Sequence, residues 1–366
     1  MKILHVINNL GSGGAEKLIE QFVPLMNEKE HVQADVLLLT DVGNVFDEHL
    51  KDNGVNVTVV PLRNPKNPLN VFYLKRHIVQ GNYDVVHAHL FPTFYWISIV
   101  SRLMIRKDKP RFILTEHSTH NRRREKSILR PLERYIYSSF DRVISVSEKT
   151  HQNLIEWLGL VDDDRFVVIP NGVNISHFSE AIAYQRWQLN TRFTEKTKLI
   201  CMVGRFSEAK DQKTVIRSLE HLPQHIHLLL VGEGPLIEEH KRLVMELNLE
   251  ERVHFLGFRK DVSRILKTVD IVVLSSHWEG LPLVAVEGMA TGKPVIAAAV
   301  PGLQEVVRNA GILFEHEDYR GLALEIKELL DNEERYKRVA QACFKKATMF
   351  DLKTMVNGYW ACYNRG

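Results

Sequence analysis

Short apolar runs alternate with segments of helical length along the whole chain, and this alternation constrains the fold more than any other feature. In the first half, the strand-like runs are Ile3–Ile7, Val36–Leu39, Val55–Val60, Val85–His87, Phe112–Thr115 and Val143–Val146. The second half repeats the pattern with Lys198–Val203, His227–Val231, Val253–Leu256, Ile271–Leu274, Val295–Ala298 and Ile312–Phe314. Strands that alternate with helices are typical of parallel βαβ units. We therefore expect an α/β fold with two Rossmann-like, doubly wound domains.

The chain is long enough for two such domains, because its 366 residues exceed the usual size of one. We place the first domain at residues 1–175 and the second at 195–349, with the polar segment Asn174–Thr197 as the connector. The segment Glu333–Tyr363 is predicted to be helical, and it carries rings that need a surface to bury them, namely Phe350, Tyr359, Trp360 and Tyr363. We expect a C-terminal helix, about residues 350–366, to return to the first domain.

Composition describes an ordinary globular protein and excludes some functions. The apolar share is 45% and the charged share 25%, and a net charge of +3 is too small to indicate a nucleic-acid partner. Three cysteines occur without CxxC spacing, which argues against a structural zinc site and favours a reducing compartment. The longest apolar stretch, Leu90–Val100, is too short to span a membrane, and no signal peptide precedes the first strand. We therefore expect a cytoplasmic protein.

The stretch Ser275–Pro294 reads as a loop, a short helix and a stop before the next strand. A proline at its start, and a glycine and a proline at its end, predict a helix over about Leu283–Ala290. Glu287 is the one carboxylate of this apolar helix, and a buried carboxylate needs a cation or a ligand's hydroxyl groups. Glu279 lies in the preceding loop, at the strand end where ligands gather in open parallel sheets. We expect the two carboxylates to flank one pocket, with a surface glutamate and a turn residue as the alternative.

Two loops are predicted to bind phosphate. The turn Gly11–Glu16 follows the first strand, is rich in glycine and opens a helix, so that backbone N–H groups and a positive helix end are exposed. Its spacing breaks the dinucleotide fingerprint, and a plain tight turn is the alternative. Arg205 and Lys210 stand near the start of another helix, where cations make sense if a phosphate or diphosphate lies among them. Together, the two loops are expected to hold a diphosphate in an interdomain cleft.

Histidines lie at the carboxyl ends of two predicted strands. His87 and His89 occupy alternate positions, and we expect them to point to opposite faces, so that a shared zinc ion is not expected. A structural role is the better interpretation for each of them. His117 follows the next strand and is expected to face the same crevice as the glycine-rich loop, where polar groups reach a substrate.

Basic residues are concentrated between Arg102 and Arg134. The segment holds eleven lysines and arginines against four acidic residues, a local charge of +7. With its interleaved apolar residues, it is predicted to be an interfacial helix on anionic lipid or a site for an anionic acceptor. A solvated helix face is the alternative. The acceptor or membrane contacts that we expect here are Arg122, Arg123 and Arg124.

Taken together, these motifs resemble the retaining glycosyltransferases of family 4, whose two facing Rossmann-like domains form the GT-B fold. The resemblance covers almost the whole chain, and both the order and the spacing of the motifs match. The motifs that carry it are Gly13–Glu16, Pro170–Asn174, Gly204-Arg205 with Lys210, Val231–Pro235, Gly257–Arg259, and Glu279–Pro282 through Glu287 to Gly292–Pro294. Two departures are Asn174, where many relatives have aspartate, and the variant turn Val300–Glu305.

The resemblance implies a nucleotide-diphosphate sugar as donor, with UDP favoured, and a saccharide or lipid-linked acceptor in cell-surface glycan synthesis. The donor's diphosphate is expected to meet Arg205 and Lys210. Glu287 is expected to hold the ribose hydroxyls and Glu279 the transferred sugar. The other donor-binding residues implied are Gly13, Gly14, Gly234, Phe258, Arg259, Gly280 and Leu281. The catalytic residues implied are His117, Glu279, Arg205 and Lys210.

The implied reaction needs no metal and no further cofactor. Because positioned cations can stabilise the departing diphosphate, electrostatics would supply most of the rate. Retention with one clear candidate carboxylate favours attack from the leaving-group face, with the departing phosphate taking the acceptor's proton, and a covalent intermediate stays open. A sugar-nucleotide 2-epimerase of the same fold is the nearest alternative. A non-catalytic nucleotide-sugar-binding subunit is the alternative from another class.

Overall fold

The protein's structure, a computed structural model, describes residues 1–11, 13–104, 109–118, 122–160, 163–279 and 282–364, with the backbone alone at 122 and 125. The chain divides into two compact units. The first unit comprises Met1–Gly172 and the C-terminal residues from Leu352 onward. The second unit comprises Val173–Asp351. Within the described ranges, no helix is both long and apolar enough to cross a membrane.

The first unit is built on a parallel sheet whose strand order is β3-β2-β1-β4-β5-β6-β7. Its strands are β1 Lys2–Ile7, β2 Gln33–Leu38, β3 Val57–Val59, β4 Val85–His89, β5 Arg111–Glu116, β6 Arg142–Ser145 and β7 Phe166–Val168. Its helices are α1 Gly14–Asn27, α2 Asp47–Asp52, α3 Asn70–Gly81, α4 Thr93–Leu103, α5 Arg130–Tyr137, α6 Glu148–Leu158 and α16 Leu352–Asn364, with 3-10 turns at Arg122–Glu125 and Ser127–Leu129. The edge strand β7, of three residues, was not predicted from the sequence.

The second unit is built on a parallel sheet whose strand order is β10-β9-β8-β11-β12-β13. Its strands are β8 Lys198–Val203, β9 Ile226–Val231, β10 Val253–Gly257, β11 Ile271–Leu274, β12 Val295–Ala298 and β13 Ile312–Phe314. Its helices are α7 Ile175–Ser179, α8 Arg186–Leu189, α9 Gln212–Ser218, α10 Ile237–Glu246, α11 Val262–Thr268, α12 Leu283–Ala290, α13 Leu303–Val307, α14 Tyr319–Asp331 and α15 Glu333–Ala347. Three 3-10 turns lie at Glu208–Lys210, Leu219–His221 and Thr348–Phe350.

Both sheets have the doubly wound strand order, which confirms the predicted fold class. The direction in which successive strands are added to the sheet reverses between β1 and β4 in the first sheet and between β8 and β11 in the second. In such sheets the helices diverge at the reversal, and a crevice opens at the carboxyl ends of the two strands. The fold therefore offers one crevice in each unit.

The strands read as continuous apolar runs because helices cover both faces of each sheet. The C-terminal helix α16 covers part of the first sheet, as predicted. Its Tyr359 and Tyr363 are 0% and 1% exposed, and the Tyr359 ring stands edge-on to Phe22 of α1 at 5.3 Å. The first unit thus supplies the surface that the rings of the terminal segment need for burial.

The expected connector Asn174–Thr197 is not a linker, and this expectation was wrong. The segment lies in the second unit and contributes buried Ile175, Phe178 and Phe193 to its core. Asn174 begins α7 as its N-cap, since its Oδ1 accepts a hydrogen bond from the His177 N–H at 3.0 Å. Three apolar side chains anchor the segment, although its polar composition shows no periodic pattern.

Candidate active site

Four loops meet the carboxyl edge of the second sheet, where they follow β8, β9, β11 and β12. The loop after β11 and the loop after β8 are joined by the His277 N–H, which donates to the Ala209 carbonyl at 2.9 Å. Next to this link, Lys210 Nζ donates to Glu279 Oε1. Ser276 Oγ donates to the same oxygen at 2.7 Å. The structure thus brings together two predicted site residues that lie 69 positions apart.

The Lys210–Glu279 pair is only partly shielded from solvent, with side-chain exposures of 23% and 11%. Arg205 of the same loop is exposed, and in the described part of the chain its side chain forms no hydrogen bond or ion pair. The helix start that follows carries its own acidic cap, because Asp211 Oδ1 accepts from the Thr214 N–H of α9. Lys210 therefore already has one carboxylate as partner, and a second carboxylate caps the helix end that follows.

Glu287 is buried on α12, which spans Leu283–Ala290 as predicted. The residue is 4% exposed, and neighbouring groups interact with it. The helix packs closely on the sheet, since a Cβ at Gly288 would lie 3.0 Å from a Val272 methyl group. Gly280 and Leu281, two predicted donor-binding residues, lie outside the described residues.

Glycines let the loops of this edge approach one another. Gly232 has a φ of +135°, and a Cβ there would lie 2.2 Å from the Gly204 carbonyl oxygen. A Cβ at Gly234 would lie 2.3 Å from the Phe206 carbonyl oxygen. The glycines after β9 therefore allow their loop to pack on the Arg205 loop, which gives Gly234 a structural reason to be glycine.

The variant turn after β12 also supports the site. Gly302 has a φ of +90°, and a Cβ there would lie 2.3 Å from the Glu279 carbonyl oxygen. The Gly302 N–H donates to Glu305 Oε2 at 2.5 Å, which fixes the start of α13. The backbone of Glu279 is thus held by a close approach that only glycine permits.

Phe258 and Arg259, two of the predicted donor-binding residues, follow β10. Phe258 is 50% exposed, so its ring is accessible. The Arg259 guanidinium is already paired with Asp261, at 2.7 Å from Nε to Oδ1. This hydrogen bond holds the pKa of Asp261 well below its usual range and raises that of Arg259. Tyr184 also donates its hydroxyl proton to Asp261.

In the first unit, Gly13 caps α1 and Gly14 begins it. Gly13 has a φ of −81°, and a Cβ at Gly14 would meet nothing within 4 Å, so the chain conformation does not require glycine at either position. The Glu16 carboxylate lies against Gly13, and burial raises its pKa. The loop start is therefore open beside Gly14, while Ser12 lies outside the described residues.

Four histidines cluster at the carboxyl edge of the first sheet. His5 Nδ1 lies 3.2 Å from His89 Nε2, and His89 Nδ1 lies 3.1 Å from His117 Nε2. His87 lies beside them, with its ring centroid 4.2 Å from that of His89. The expectation that His87 and His89 face opposite sides was wrong, because residues two positions apart on a strand point to the same face.

The cluster is neutral. Burial lowers the pKa of His5 to about 3 and that of His117 to about 4, and it holds those of His87 and His89 well below their usual value. His5 was not among the predicted site residues, although β1 pairs with β4 and sets His5 opposite His87. Strand order could have revealed it, since the first and fourth strands are neighbours in a doubly wound sheet.

Among the described residues, two histidine groups have ligand atoms close enough to hold a metal ion, with all atoms of a group within 4.8 Å of one another. One comprises His5, His87 and His89, and the other comprises His277, His316 and Glu317. In the first group, both His87 nitrogens already meet protein hydroxyls, Tyr363 Oη and Thr115 Oγ1, each at 2.7 Å. In the second, His277 Nδ1 and His316 Nε2 lie 2.6 Å apart, closer than two nitrogens on one zinc ion would stand.

The basic segment differs from the expected lipid-facing or solvated patch. Arg124 pairs with buried Glu116 at 3.0 Å, and Arg123 pairs with buried Glu133 at 3.1 Å and covers the Phe91 ring. Other arginines of the segment donate to backbone carbonyls, namely Arg102, Arg130 and Arg134. The arginines of this segment whose side chains the structure describes therefore serve mainly internal contacts. The Arg122 side chain lies outside the described atoms.

A small pocket of about 40 Å³ lies beside His117. It is lined by Leu90, Phe91, Phe94, Thr115, Glu116, His117, Ser118 and Arg123. A larger pocket, of about 580 Å³, is lined by residues of β7 and α16 and contains none of the predicted site residues. The small pocket thus combines a predicted site residue with aromatic and charged walls.

Comparison with protein families gives one match for each half of the chain. The family described as Glycosyltransferase Family 4 matches residues 12–177. The family described as Glycosyl transferases group 1 matches residues 185–346. The two matches together cover every strand of both sheets except β1, which precedes residue 12.

Relatives and solved structures agree with the family matches. A putative glycosyltransferase, EpsF of Bacillus subtilis, is 27% identical over 81% of this chain and 78% of its own length. An Escherichia coli enzyme named UDP-Gal:alpha-D-GlcNAc-diphosphoundecaprenol alpha-1,3-galactosyltransferase is 28% identical over 87% of this chain and 85% of its own. The structure of Anabaena HepE with UDP and glucose has a TM-score of 0.82 at 24% identity, covering 99% of both chains. Together these findings support a glycosyltransferase of the GT-B fold.

Proposed function

We propose that the protein is a retaining glycosyltransferase of family 4. It moves a hexose or an N-acetylhexosamine from a UDP-sugar to a saccharide or lipid-linked acceptor in cell-surface glycan synthesis. The observation that carries the proposal is the Lys210–Glu279 pair beside exposed Arg205 at the crevice of the second sheet. Two relatives support a UDP-sugar, since one is named for UDP-galactose and another was solved with UDP and glucose.

The charges of the second unit suit a departing diphosphate. Breaking the sugar–phosphate bond builds negative charge on the leaving group, and fixed cations stabilise that charge best where water is partly excluded. Arg205 would meet the diphosphate first, because in the described structure its guanidinium has no acidic partner. Lys210 would then leave Glu279 for the phosphate, and the released carboxylate would accept a hydrogen bond from a hydroxyl group of the transferred sugar. Buried Glu287 would accept hydrogen bonds from the ribose hydroxyls.

The remaining predicted residues keep their roles as part of the proposal. Gly13 and Gly14 would contact the diphosphate through backbone N–H groups, and Gly234, Gly280 and Leu281 would line the donor. The accessible Phe258 ring would face the base, whereas Arg259 would contribute through its backbone because Asp261 holds its guanidinium. The departing phosphate would take the acceptor's proton, and no metal ion is needed for these steps.

His117 and the small pocket beside it would serve the acceptor side. The pocket has aromatic walls and carries the Arg123 guanidinium, features that suit the apolar faces and hydroxyl groups of a sugar ring. The His117 ring is held by its hydrogen bond with His89. His117 would therefore contact a hydroxyl of the sugar or of the acceptor.

The test measures UDP release from a panel of UDP-sugars, with and without saccharide acceptors. We expect Lys210→Ala and Glu287→Ala each to abolish transfer while the circular dichroism spectrum stays unchanged. Lys213→Ala is the matched control, since Lys213 is an exposed lysine on the adjoining helix α9 and should retain full activity. Turnover at the wild-type rate in Lys210→Ala or Glu287→Ala would contradict the site. Isomerisation of the donor without an acceptor would identify an epimerase instead.

The proposal also has the first unit face the inner leaflet of the membrane, and exposed apolar residues support this position. Ile128, Leu132 and Tyr135 are 85%, 45% and 56% exposed and follow a helical spacing along the 3-10 turn and α5. A stripe of this kind suits insertion at a lipid surface. Ile128→Glu with Leu132→Glu should weaken sedimentation with anionic vesicles, and unchanged sedimentation would contradict the assignment. Ile182→Glu is the control, because Ile182 is an exposed isoleucine of the other unit.

A further inference from the structure

A line of three imidazoles runs from the interior of the first unit to its candidate acceptor site. His5 lies on β1, His89 ends β4, and His117 follows β5. Their ring nitrogens are spaced for two consecutive hydrogen bonds, of 3.2 Å and 3.1 Å. His5 and His89 are 0% exposed, so water does not compete for these bonds.

Neutral imidazole carries one N–H and one bare nitrogen, so the hydrogen bonds of such a line must all run in the same direction. Burial lowers the pKa of every ring in the line, and each therefore carries one proton at neutral pH. One end of the line must then present an N–H and the other a bare nitrogen. The direction decides which kind of group His117 offers.

The inner end of the line indicates the direction. His5 Nε2 is buried, and in the described structure it has no hydrogen-bond partner. A buried N–H without an acceptor is rarer in proteins than an under-satisfied acceptor, which makes a bare Nε2 the less costly state at this end. His5 Nδ1–H then donates to His89 Nε2, and His89 Nδ1–H donates to His117 Nε2.

We propose that His5 and His89 are positioning residues that fix the proton of His117 on Nδ1. On this arrangement His117 presents an N–H donor to an oxygen of the substrate and does not act as a general base. The claim that His117 meets a substrate rests on the proposed function, whereas the proton positions do not. The outer nitrogen is available, since within the described residues no hydrogen bond engages His117 Nδ1.

The direct test is the tautomer of each ring, read from nitrogen–proton correlation spectra of the full-length protein labelled with ¹⁵N-histidine. Single His5→Asn and His117→Gln variants assign the signals. We expect Nδ1–H on His5, His89 and His117, although free neutral histidine favours Nε2–H. A proton on Nε2 of His117 overturns the proposal. Stoichiometric zinc in the purified protein that is lost in His5→Asn also overturns it, because a metal ion would replace the protons.

Two nearly isosteric variants test the link from His5 to His117. Asparagine in His5→Asn has an amide N–H that can occupy the place of Nδ1, so His117 should keep its proton on Nδ1. The ionised aspartate in His5→Asp can only accept hydrogen bonds, because it has no proton to donate. At alkaline pH, His89 Nε2–H should therefore donate to it, and His117 should carry its proton on Nε2. An unchanged His117 tautomer in a folded His5→Asp protein, with its carboxyl shown to be ionised, refutes the link. The wild-type spectrum alone decides the proton positions if this variant does not fold.

Kinetics separate the positioning role from the function itself. We expect kcat of His5→Asp to fall by roughly tenfold, the loss of about one hydrogen bond, while KM for the donor stays unchanged. His5→Asn should recover most of the rate. If the tautomers are as predicted but His5→Asp and His5→Asn have the same rate, the hydrogen-bonded line of imidazoles stands and its role in transfer is refuted. Absence of any transferase activity with correct tautomers would refute only the proposed function.

Discussion

Acidification should destabilise the first unit selectively, because burial holds four of its histidines neutral. The pKa of His5 is lowered to about 3 and that of His117 to about 4, and those of His87 and His89 lie well below 6.5. On unfolding, each ring regains a pKa near 6.5 and takes up a proton at any pH below that value. The unfolded state therefore binds more protons, and stability is lost as the pH falls from about 6.5 toward the folded pKa values.

The magnitude follows from the size of these shifts. At about pH 5.5, protonation of the ring in the unfolded state lowers the free energy of unfolding by between about 1 and 2 kcal/mol for each histidine. Four rings together cost about 5 kcal/mol, which is comparable to the whole stability of a typical domain, roughly 5–15 kcal/mol. A proton on any neighbouring histidine would lower the pKa of His87 and His89 further. The four histidines therefore do not offset one another's cost. Glu16 and Glu20, whose pKa burial raises, act with the opposite sign.

The assay must report on each unit separately. Samples are equilibrated in a urea series at about pH 7.5 and about pH 5.5 and then pulse-labelled with deuterium at one common pH. Peptides from β1 and β4 report the first unit, and peptides from β8 and β11 report the second. The second unit should shift less, because its comparable histidines, His227 and His254, are only half-buried. Equal shifts in both units, or an unchanged urea midpoint in the first, would refute the argument from burial.

Two further predictions concern stability and the position of Glu279. Arg124→Met should destabilise the first unit by about 3–5 kcal/mol in urea unfolding, because it leaves the buried Glu116 carboxylate without its cation, and Glu116→Gln added to it should restore part of the loss. Gly302→Ala should slow transfer by more than its loss of folding stability explains, because the added Cβ would displace the Glu279 backbone. Gly292→Ala, which has a similar φ of +74° but no atom within 4 Å, is the control for backbone strain alone, and equal rates in the two variants would contradict this account.

The fold could be predicted from the sequence because the alternation of strands and helices is a property of local sequence. Four strands of the second sheet, β8, β11, β12 and β13, begin and end at the predicted residues, and so does α12. Failure came where few residues decide the structure. Three apolar side chains, Ile175, Phe178 and Phe193, fold the expected connector into the second core.

The candidate site could be predicted only in part, because its contacts depend on which strands are neighbours. The sequence shows Lys210 and Glu279 as separate residues of interest, but their ion pair requires β8 to lie beside β11. The count of basic residues was misleading for the same reason. A local charge of +7 does not reveal that Arg123 and Arg124 pair with carboxylates that the fold buries.

The two candidate sites differ in charge, and the difference bears on the chemistry. The loops at the crevice of the second unit carry Arg205, Lys210 and Glu279, groups that suit a charged donor. The crevice of the first unit contains imidazoles that burial keeps neutral, and a pKa of about 4 makes His117 a poor base at physiological pH. A neutral hydrogen-bond donor can orient an acceptor hydroxyl but cannot remove its proton. The proton must therefore go to another group, and in the proposed reaction the departing phosphate is the base that remains.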